Sequence, residues 1–201
     1  MVSPATPLAL PRVSLTGRWI CLEPYEEGLK TELQQVLDCD APAWDVFAVS
    51  GQGPHFDTWW RNIARATQSG TWLAYAIRDL ASGRLVGTSS FLNIKPERQC
   101  LEIGATFLHP DVRATRVNPE AKLLMLRHAF DNGARRVELL TDLRNVRSQA
   151  AIAKLGAVRE GVLRRDRITW TGHVRDSVLF AITDLDWPQV ERHLTDRLDL
   201  G

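Results

Sequence analysis

Cysteine is scarce in this chain of 201 residues, and long apolar runs and a large net charge are absent. Its three cysteines (Cys21, Cys39 and Cys100) are odd in number and have no C-x-x-C spacing. This pattern argues against a disulfide framework or a thiolate zinc site and is typical of a reducing cytoplasm. No stretch approaches the ~18 uninterrupted apolar residues of a transmembrane helix, and residues 1–12 lack a basic segment followed by an apolar core. We therefore predict a cytoplasmic protein with no membrane span and no secretory signal.

The sequence also lacks the short motifs of several large enzyme classes. It contains no G-x-S-x-G, no phosphate-binding P-loop and no H-E-x-x-H. Its five histidines are dispersed and show no metal-ligand spacing. We therefore expect no metal centre. Composition alone leaves a Ser-His-Asp hydrolase open, but no serine lies on the strand-to-helix turn that such a nucleophile needs.

The composition is that of an ordinary globular protein, but its charges are unevenly placed. Hydrophobic residues make up 44% and charged residues 24%, and the formal net charge is +1. Residues 111–176 carry 14 basic and 8 acidic side chains, whereas residues 1–110 carry 9 and 11 and residues 177–201 carry 2 and 5. An anionic ligand is therefore expected to bind the middle-to-late part of the chain.

Hydrophobic periodicity predicts a mixed α/β fold. Residues 1–12, rich in Pro, Ala and Thr, predict a flexible N-terminal arm, and residues 13–201 predict a single domain. Strands are predicted at 15–24, 72–79, 84–95, 101–108, 136–141, near 157–163 and at 174–183, and helices at 25–37, 56–67, 118–131 and 145–155. Antiparallel hairpins followed by a βαβ-like half indicate three layers, with a mostly antiparallel, partly parallel central sheet between helices.

Two of these helices have predicted start signals. Asp57 is a plausible cap for the helix at 56–67. Segment 109–127 reads H-P-D-V-R-A-T-R-V-N-P-E-A-K-L-L-M-L-R and joins a strand end to a helix start. There we predict Asn118 as the N-cap, Pro119 at the first helical position and Glu120 in the first turn.

The loop before that second helix is a candidate anion site. The N–H groups of residues 113–118, at the positive end of the helix, can bind an anion. Arg113, Arg116 and Lys122 are predicted to add positive charge suited to phosphates. The alternative is a capped helix with a solvated basic loop that binds nothing.

Six short motifs between residues 15 and 187 are more specific together than any is alone. They are L-E-I-G at 101–104, H-P-D-V-R at 109–113, R-A-T-R-V-N-P-E-A-K at 113–122, N-V-R-S at 145–148, K-L-G-A at 154–157 and E-G-V-L-R at 160–164. Their order and spacing resemble the GNAT superfamily of acetyl-CoA-dependent N-acetyltransferases, and specifically its RimJ/RimL-like branch. The resemblance implies a GNAT-like three-layer fold, acetyl-CoA as the acetyl donor and an acceptor site for an amine. Dimerisation is also plausible for this family.

The resemblance implies where CoA binds. The family's phosphate loop reads [Q/R]-x-x-G-x-[G/A], and its amides hold the CoA diphosphate. Arg113 matches the first position, whereas Arg116 and Asn118 replace the two glycines. Glycine allows the backbone to approach a phosphate closely, so this loop departs from the pattern. The implied CoA-binding residues are Arg113, Thr115, Arg116, Val117, Asn118, Lys122 and Asn145, with the backbone of Phe107 and Leu108 for the pantetheine arm and the oxyanion.

Acetyl transfer from a thioester to an amine needs a base for the ammonium and an acid for the thiolate. Glu102 alternates with Ile103 on a predicted strand, and a carboxylate there is cheaper to place in a cleft than in the core. We predict Glu102 as the base. The alternative is a rim carboxylate paired with Arg98 or Arg84.

Ser148 is the predicted proton donor to sulfur. It follows three residues after Asn145, whose amide helps to bind the CoA arm in this family. Many superfamily members have a tyrosine acid seven residues after that asparagine, and here the position is Ile152. A tyrosine acid is therefore excluded there. Alternatively, Ser148 bonds its own backbone at a helix start and Asn145 is only an N-cap.

The acceptor amine is expected to enter opposite CoA, near the first two helices and the late hairpin. Aromatic residues are dense there, and one or two could line an acceptor pocket or a dimer face; they are Trp44, Phe47, Trp59, Trp60 and Trp72. Arg164, Arg165 and Arg167 could bind an acidic substrate or nucleic acid, but a solvated edge is favoured. Acceptors in the RimJ/RimL-like branch are protein N-terminal α-amines, and relatives use small amines, amino acids or antibiotics.

Three functions compete at this point. The favoured one is acetyl-CoA-dependent N-acetyl transfer to a primary amine, either a protein N-terminus or a small molecule, through a ternary complex. The second is a catalytically inactive acyl-CoA-binding or interaction module of the same fold, which the arginine in the phosphate loop and the missing tyrosine keep open. The third, binding of nucleic acid by the arginines of residues 113–175, is disfavoured and would show as strongly salt-dependent binding.

Overall fold

The computed structural model describes residues 7–199, which form one eight-stranded sheet with helices on its faces. The strands are β1 (Leu15–Thr16), β2 (Ile20–Pro24), β3 (Leu73–Asp79), β4 (Leu85–Lys95), β5 (Cys100–Leu108), β6 (Arg136–Asp142), β7 (Val158–Ile168) and β8 (Val174–Thr183). The helices are α1 (Lys30–Leu37), α2 (Phe56–Gln68), α3 (Val117–Asp131), α4 (Val146–Ala153) and α5 (Trp187–Asp199). Short 3-10 turns lie at Glu27–Leu29, Ala41–Val46, Gly53–His55, Pro96–Arg98 and Pro110–Val112.

The sheet confirms the predicted mixed α/β class. Its strand order is β1-β2-β3-β4-β5-β6-β8-β7. Every neighbouring pair is antiparallel except β5 and β6, which are parallel. The parallel pair arises because the chain leaves β5, crosses a face of the sheet as α3 and returns as β6, which is the connection that parallel strands require.

The sheet opens between β5 and β6. The two strands pair only from Cys100↔Arg136 to Glu102↔Glu138. Beyond Glu102, β5 stays paired with β4 as far as Leu108, and β6 stays paired with β8 as far as Asp142. The two strands therefore diverge from Glu102 onward, and the facing edge of β5 has no strand partner among the described residues.

A bulge in β5 changes which face of the sheet its side chains reach. Opposite the single residue Ser89 of β4, β5 has two residues, Ala105 and Thr106, and Ala105 has a φ of 47°. Residues four apart on a regular strand share a face. Here Ile103 packs in the core with α3 and α5, whereas Phe107 packs in the second core with α1 and α2. The bulge thus allows one strand to serve both cores.

The predicted strand at 15–24 is instead two strands joined by a tight turn. β1 ends at Thr16 and β2 begins at Ile20. The carboxylate of Glu120, from α3, accepts hydrogen bonds from the backbone N–H groups of Arg18 (2.6 Å), Trp19 (3.0 Å) and Ile20 (2.9 Å). These amides bind a distant side chain, so the strand is interrupted where the sequence pattern is continuous.

Part of the predicted flexible arm is packed. Residues 1–6 of that prediction lie outside the described residues. Residues 7–12 have no helix or strand, but Leu8 is buried in the core beside α3 and its N–H donates to Pro96 O (3.2 Å). Residues 7–12 thus contact the rest of the domain, and the flexibility of the arm stays a prediction.

The predicted cap of α2 is also wrong. The helix begins at Phe56, as predicted, so the residue at the N-cap position is His55 and Asp57 lies in the first turn. The Asp57 carboxylate instead lies 3.0 Å from the Lys30 ammonium at the start of α1. Among the helices of residues 7–199, none is both long and apolar enough to cross a membrane.

Candidate active site

A cavity of about 580 Å³ occupies the opening between β5 and β6. Its walls come from both strands, the loop before α3, the start of α4, α2 and the segment 43–49. The predicted site residues that line it are Glu102, Phe107, Leu108, Arg113, Asn118, Lys122, Asn145 and Ser148. The other three predicted residues, Thr115, Arg116 and Val117, do not line it.

Glu102 is a buried carboxylate in this cavity. Its side chain accepts a hydrogen bond from Asn93 Nδ2 (2.9 Å), and the residue is only 4% exposed. Burial raises the pKa of Glu102, although the charge of Arg167 and the bond from Asn93 oppose the shift. Within residues 7–199 it forms no ion pair with Arg84 or Arg98. The alternative of a paired rim carboxylate is therefore wrong.

Asn145 and Ser148 form the start of α4 at the opposite wall. Asn145 caps the helix, since its Oδ1 accepts the N–H of Ser148 (3.0 Å). The Ser148 hydroxyl makes no hydrogen bond to any part of the chain that the structure describes, and the residue lines the cavity. Asn145 is therefore an N-cap of α4, and its binding of CoA stays a prediction, while the hydroxyl of Ser148 is free to bind a ligand.

The loop before α3 is held in place by Arg113. Its Nε donates to Leu108 O (3.0 Å), and its Nη1 lies 2.6 Å from Asp40 Oδ2. These bonds fix the loop against the end of β5. The left-handed conformation in the loop occurs at Ala114 (φ 61°), so Arg116, with a φ of −67°, needs no glycine-like backbone.

The remaining loop residues differ from the prediction in detail. α3 begins at Val117 after Arg116, so Asn118 is not the N-cap but lies in the first turn. The Thr115 hydroxyl donates to Val112 O (2.7 Å) and accepts the Val117 N–H (3.3 Å). The Arg116 guanidinium lies 4.9 Å from the centre of the Trp19 ring. Loop geometry of this kind depends on contacts that helix-start rules do not include.

Lys122 points into the protein and not toward the loop. Its ammonium donates to Ser89 Oγ (2.9 Å) and Thr106 Oγ1 (2.7 Å), at the bulge between β4 and β5. Burial lowers its pKa to about 7. The prediction that Lys122 adds surface charge for phosphate is therefore corrected: its hydrogen bonds brace the bulged part of β5 from the side of α3.

The predicted aromatic residues divide between the cavity and the core. Phe47, Trp59 and Trp72 line the cavity. Trp44 is 1% exposed and stacks on Phe107 with 5.2 Å between ring centres. Trp60 stacks on Tyr25 with 4.9 Å between ring centres. Three of the five are thus placed where an acceptor could touch them.

Arg175 was not among the site residues predicted from the sequence. It is only 6% exposed, lies on β8 and lines the cavity with Arg167 of β7. Strand alternation in V-R-D-S-V places Arg175 on the same face as Ser177. The sequence does not show that this face is buried, which only the structure reveals. Of the predicted arginine cluster, Arg164 and Arg165 are exposed and only Arg167 reaches the cavity.

The arrangement suits proton transfer at an enclosed reaction centre. A carboxylate with a raised pKa and a free hydroxyl face one cavity from different walls. A carboxyl group of this kind takes up a proton at a higher pH than an ordinary glutamate, and a hydroxyl can pass one on. The described residues contain no cluster of three or more His, Cys, Asp or Glu side chains that could hold a metal ion.

Comparisons with known proteins agree with this geometry. The family model of the acetyltransferase (GNAT) domain matches residues 23–158. A solved structure from T. thermophilus, described as an acetyltransferase, is 33% identical with a TM-score of 0.82, covering 94% of this chain and 98% of its own. A GCN5-related N-acetyltransferase from Brucella melitensis is 27% identical with a TM-score of 0.84, covering 96% and 89%.

More distant structures share the fold. RimJ of Mycobacterium smegmatis, solved in complex with CoA-disulfide, is 20% identical with a TM-score of 0.77, covering 95% of this chain and 92% of its own. No curated protein sequence matches this chain significantly. The match to the family model, over more than half of the chain, and the identity above 30% together settle the family. The chain belongs to the GNAT family of acetyltransferases and is an N-acetyltransferase.

Proposed function

We propose that this protein transfers the acetyl group of acetyl-CoA directly to a primary amine while both substrates occupy the cavity between β5 and β6. The observation that carries the proposal is the divergence of these strands beyond Glu102. It brings a buried carboxylate, a free hydroxyl and an unpaired strand edge to one enclosed space. Such a space can hold two reactants in line and exclude bulk water.

The chain's own groups fit acetyl-CoA. The unpaired edge of β5 offers backbone groups to the amide-containing pantetheine arm, and Phe107 and Leu108 lie there. The loop of residues 113–118 precedes the N-terminus of a 15-residue helix, where backbone amides favour phosphate. We assign the CoA diphosphate to this loop and the pantetheine arm to the edge of β5, between Arg113 and Asn145.

Glu102 and Ser148 have opposite tasks in the proposed reaction. Glu102 takes a proton from the acceptor ammonium, and the neutral amine attacks the thioester carbonyl. The new C–N bond turns the thioester carbonyl into a tetrahedral oxyanion, which then collapses with cleavage of the C–S bond. The second proton that the nitrogen loses passes through water to the Ser148 hydroxyl, which gives its own proton to the leaving thiolate. Backbone N–H groups near Phe107 and Leu108 stabilise the oxyanion.

Titration with acetyl-CoA followed by an amine panel tests the proposal. We expect micromolar binding with a rise in melting temperature, and CoA release that depends on an added amine. Binding without release by any small amine or N-terminal peptide would favour the inactive acyl-CoA-binding module. No binding at millimolar ligand would contradict both.

Ser148→Ala is expected to lower kcat by about 100-fold, because the leaving thiolate loses its proton donor. The variant keeps the backbone N–H that Asn145 caps, so α4 and the melting temperature should be preserved. Calorimetry should give an unchanged Kd for acetyl-CoA. An unchanged turnover rate would remove the serine from the mechanism.

Charge reversal at both Arg113 and Arg116 is expected to raise the Kd for acetyl-CoA by about 10- to 100-fold, because two cations near the diphosphate are lost. Calorimetry measures this change in the Kd. Arg116→Glu alone should have the smaller effect, since that guanidinium lies on Trp19 outside the cavity. Arg164→Glu, on the exposed part of β7, is the matched control. Equal affinity in the double variant and the control would move the phosphate site elsewhere.

Several finer assignments belong to this proposal. The RimJ/RimL-like branch is supported by the motif order and by the fold shared with RimJ. A protein N-terminus remains one acceptor class, and a homodimer and a cytoplasmic location remain predictions from the resemblance and the scattered cysteines. Nucleic acid is not part of the proposed function, because Arg167 and Arg175 belong to the cavity wall and exposed arginines such as Arg116, Arg147 and Arg164 lie on different elements.

A further inference from the structure

Arg175 is a buried cation without a carboxylate partner. Its Nε donates to Ser177 Oγ (2.9 Å) and its Nη1 to Val46 O (3.1 Å), and both acceptors are neutral. No carboxylate of residues 7–199 lies within 4.0 Å of its guanidinium. Burial lowers the pKa of Arg175, and the charge of Arg167 adds to the shift. Buried charges in proteins are normally paired, whereas the carboxylates whose charges act on Arg175, those of Asp142, Asp166 and Glu102, do so without direct contact.

The nearby carboxylates are already engaged. Asp142 accepts two bonds from the guanidinium of Arg144 (3.1 and 2.8 Å). Asp166 accepts hydrogen bonds from Ser177 Oγ (2.7 Å) and Arg167 Nε (2.7 Å). Neither of them is free to turn toward Arg175.

Both guanidinium groups keep donors for a ligand. Arg175 Nη2 and the two terminal nitrogens of Arg167 make no hydrogen bond to the described part of the chain. Both side chains line the same cavity as Glu102, and the charges of both act on the pKa of that carboxyl group. The cavity therefore presents two cationic groups beside the predicted base.

We infer that Arg175, together with Arg167, binds a carboxylate of the acceptor, so that the substrate is a small molecule carrying both a primary amine and a carboxylate, such as a free amino acid. The guanidinium fork matches a carboxylate in shape and charge. Glu102 attracts the ammonium of the same molecule. This inference rests on the proposed function and names its substrate class.

The enclosure of Arg175 favours a small acceptor over a peptide. The residue lines the same cavity as Glu102, and its charge acts on that carboxyl group, so the ligand carboxylate that it binds shares this cavity with the reacting amine. In a peptide, the carboxyl group next to the N-terminal amine is an uncharged amide. Such a ligand would leave the buried guanidinium unpaired. A site built for a polar partner binds such a ligand much more weakly.

Matched ligands test the inference without requiring catalysis. Calorimetry on the full chain saturated with desulfo-CoA would compare alanine, leucine and phenylalanine with their C-terminal amides. We expect at least one amino acid to bind about 10- to 100-fold more tightly than its amide, because a charge-assisted pair is lost in the amide. Equal affinities, or no binding of any amino acid, would overturn the inference. A carboxylate could also come from the side chain of a peptide's first residue. Two amidated peptides, one with N-terminal glutamate and one with N-terminal glutamine, test this source. If only this pair shows selectivity, the small-molecule assignment is overturned.

Variants separate ligand recognition from a structural role. Arg175→Lys keeps the charge but loses the fork, and Arg175→Met loses both, so selectivity for acid over amide should fall partly in the first and disappear in the second. Arg167→Gln should reduce the selectivity for acid over amide without removing the buried side chain of Arg175. Arg164→Met, on the exposed part of β7, is the control. If the Arg175 and Arg167 variants lose stability or affinity equally for acids and amides, both residues are structural only and the inference fails.

Product analysis distinguishes the inference from the proposed function. Selective binding of amino acids without acetylated product would contradict acetyl transfer and leave carboxylate recognition standing. Acetylation of amides and neutral amines as fast as of amino acids would support acetyl transfer and overturn carboxylate recognition.

Discussion

Glu102→Gln is expected to lower kcat by about 10²- to 10⁴-fold, the range measured for loss of a general base. Glutamine has nearly the same shape, and it can keep an oxygen toward Asn93 Nδ2, which now donates to Glu102 at 2.9 Å. The Kd for acetyl-CoA should therefore not change. Steady-state kinetics with the best amine and calorimetry with acetyl-CoA measure the two effects separately.

The same variant should change the pH dependence. Burial raises the pKa of Glu102, so the active, ionised carboxylate is lost at a higher pH than for an ordinary glutamate. In the wild type, kcat/KM should fall as the pH drops through this raised pKa, and in Glu102→Gln this acidic limb should disappear. Full turnover by the variant across about pH 6–9 would show that another group is the base.

The stability of Glu102→Gln should not fall with its activity. A carboxyl group whose pKa is raised by folding binds its proton more tightly in the native state than in the unfolded state. Its contribution to stability is therefore lost as the pH rises from the unfolded pKa through the folded one. Near neutral pH, Glu102→Gln should be as stable as the wild type or more stable, which separates a lost base from a damaged fold.

Glu138→Gln is the matched control for Glu102. Glu138 is the Cα partner of Glu102 across the β5–β6 pair. Its carboxylate is held by Arg136 Nε (2.9 Å), and it does not line the cavity. The control should keep the wild-type kcat at the optimal pH, whereas its acidic limb should move to lower pH because the charge of Glu138 helps to raise the pKa of Glu102. An equal loss of kcat in both variants would indicate a general effect on the strand pair.

Glu120→Ala is expected to lower the free energy of unfolding by about 3–4 kcal/mol, because three backbone N–H groups lose a charged acceptor. The carboxylate is 4% exposed and binds the N–H groups of Arg18, Trp19 and Ile20. For a chain of this size, the melting temperature should fall by about 10 °C. Thermal and denaturant unfolding measure the change.

The geometry around Glu120 makes this prediction specific. Gly17 lies so close that an added Cβ would collide with Glu120 Oε1. The turn therefore closes on the carboxylate and excludes substitute acceptors. Glu120→Gln, which keeps one oxygen, should lose less stability than Glu120→Ala. Glu97→Ala, at an exposed turn, should lose almost none, and an equal loss in Glu97→Ala and Glu120→Ala would contradict the assignment.

Local patterns in the sequence predicted most elements of the fold. The alternation of L-E-I-G-A-T-F and the helical spacing after residue 117 depend on neighbouring residues, so strands and helices could be assigned from them. The ordered motifs, through their resemblance to the GNAT superfamily, led to the family, the donor and the candidates Glu102, Ser148 and Arg113. The roles of these residues stay predictions until the variants are measured.

The errors came where a distant side chain decides a local structure. The break at residues 17–19 depends on Glu120, about a hundred residues away in the chain. Lys122 follows a basic loop in sequence, yet its ammonium is drawn to Ser89 and Thr106 on the bulge. No propensity or capping rule includes such partners.

The sequence by itself therefore determined the class of fold, the order of most of its elements and the family to which the chain belongs, because each of these depends on residues close together in the chain or on a motif order. Only the tertiary structure decided that β5 and β6 separate beyond Glu102 and that Arg175 lies in the same cavity without a carboxylate partner. Both depend on strand pairing between residues far apart in the chain, and the enclosed space that results is what turns isolated side chains into a site.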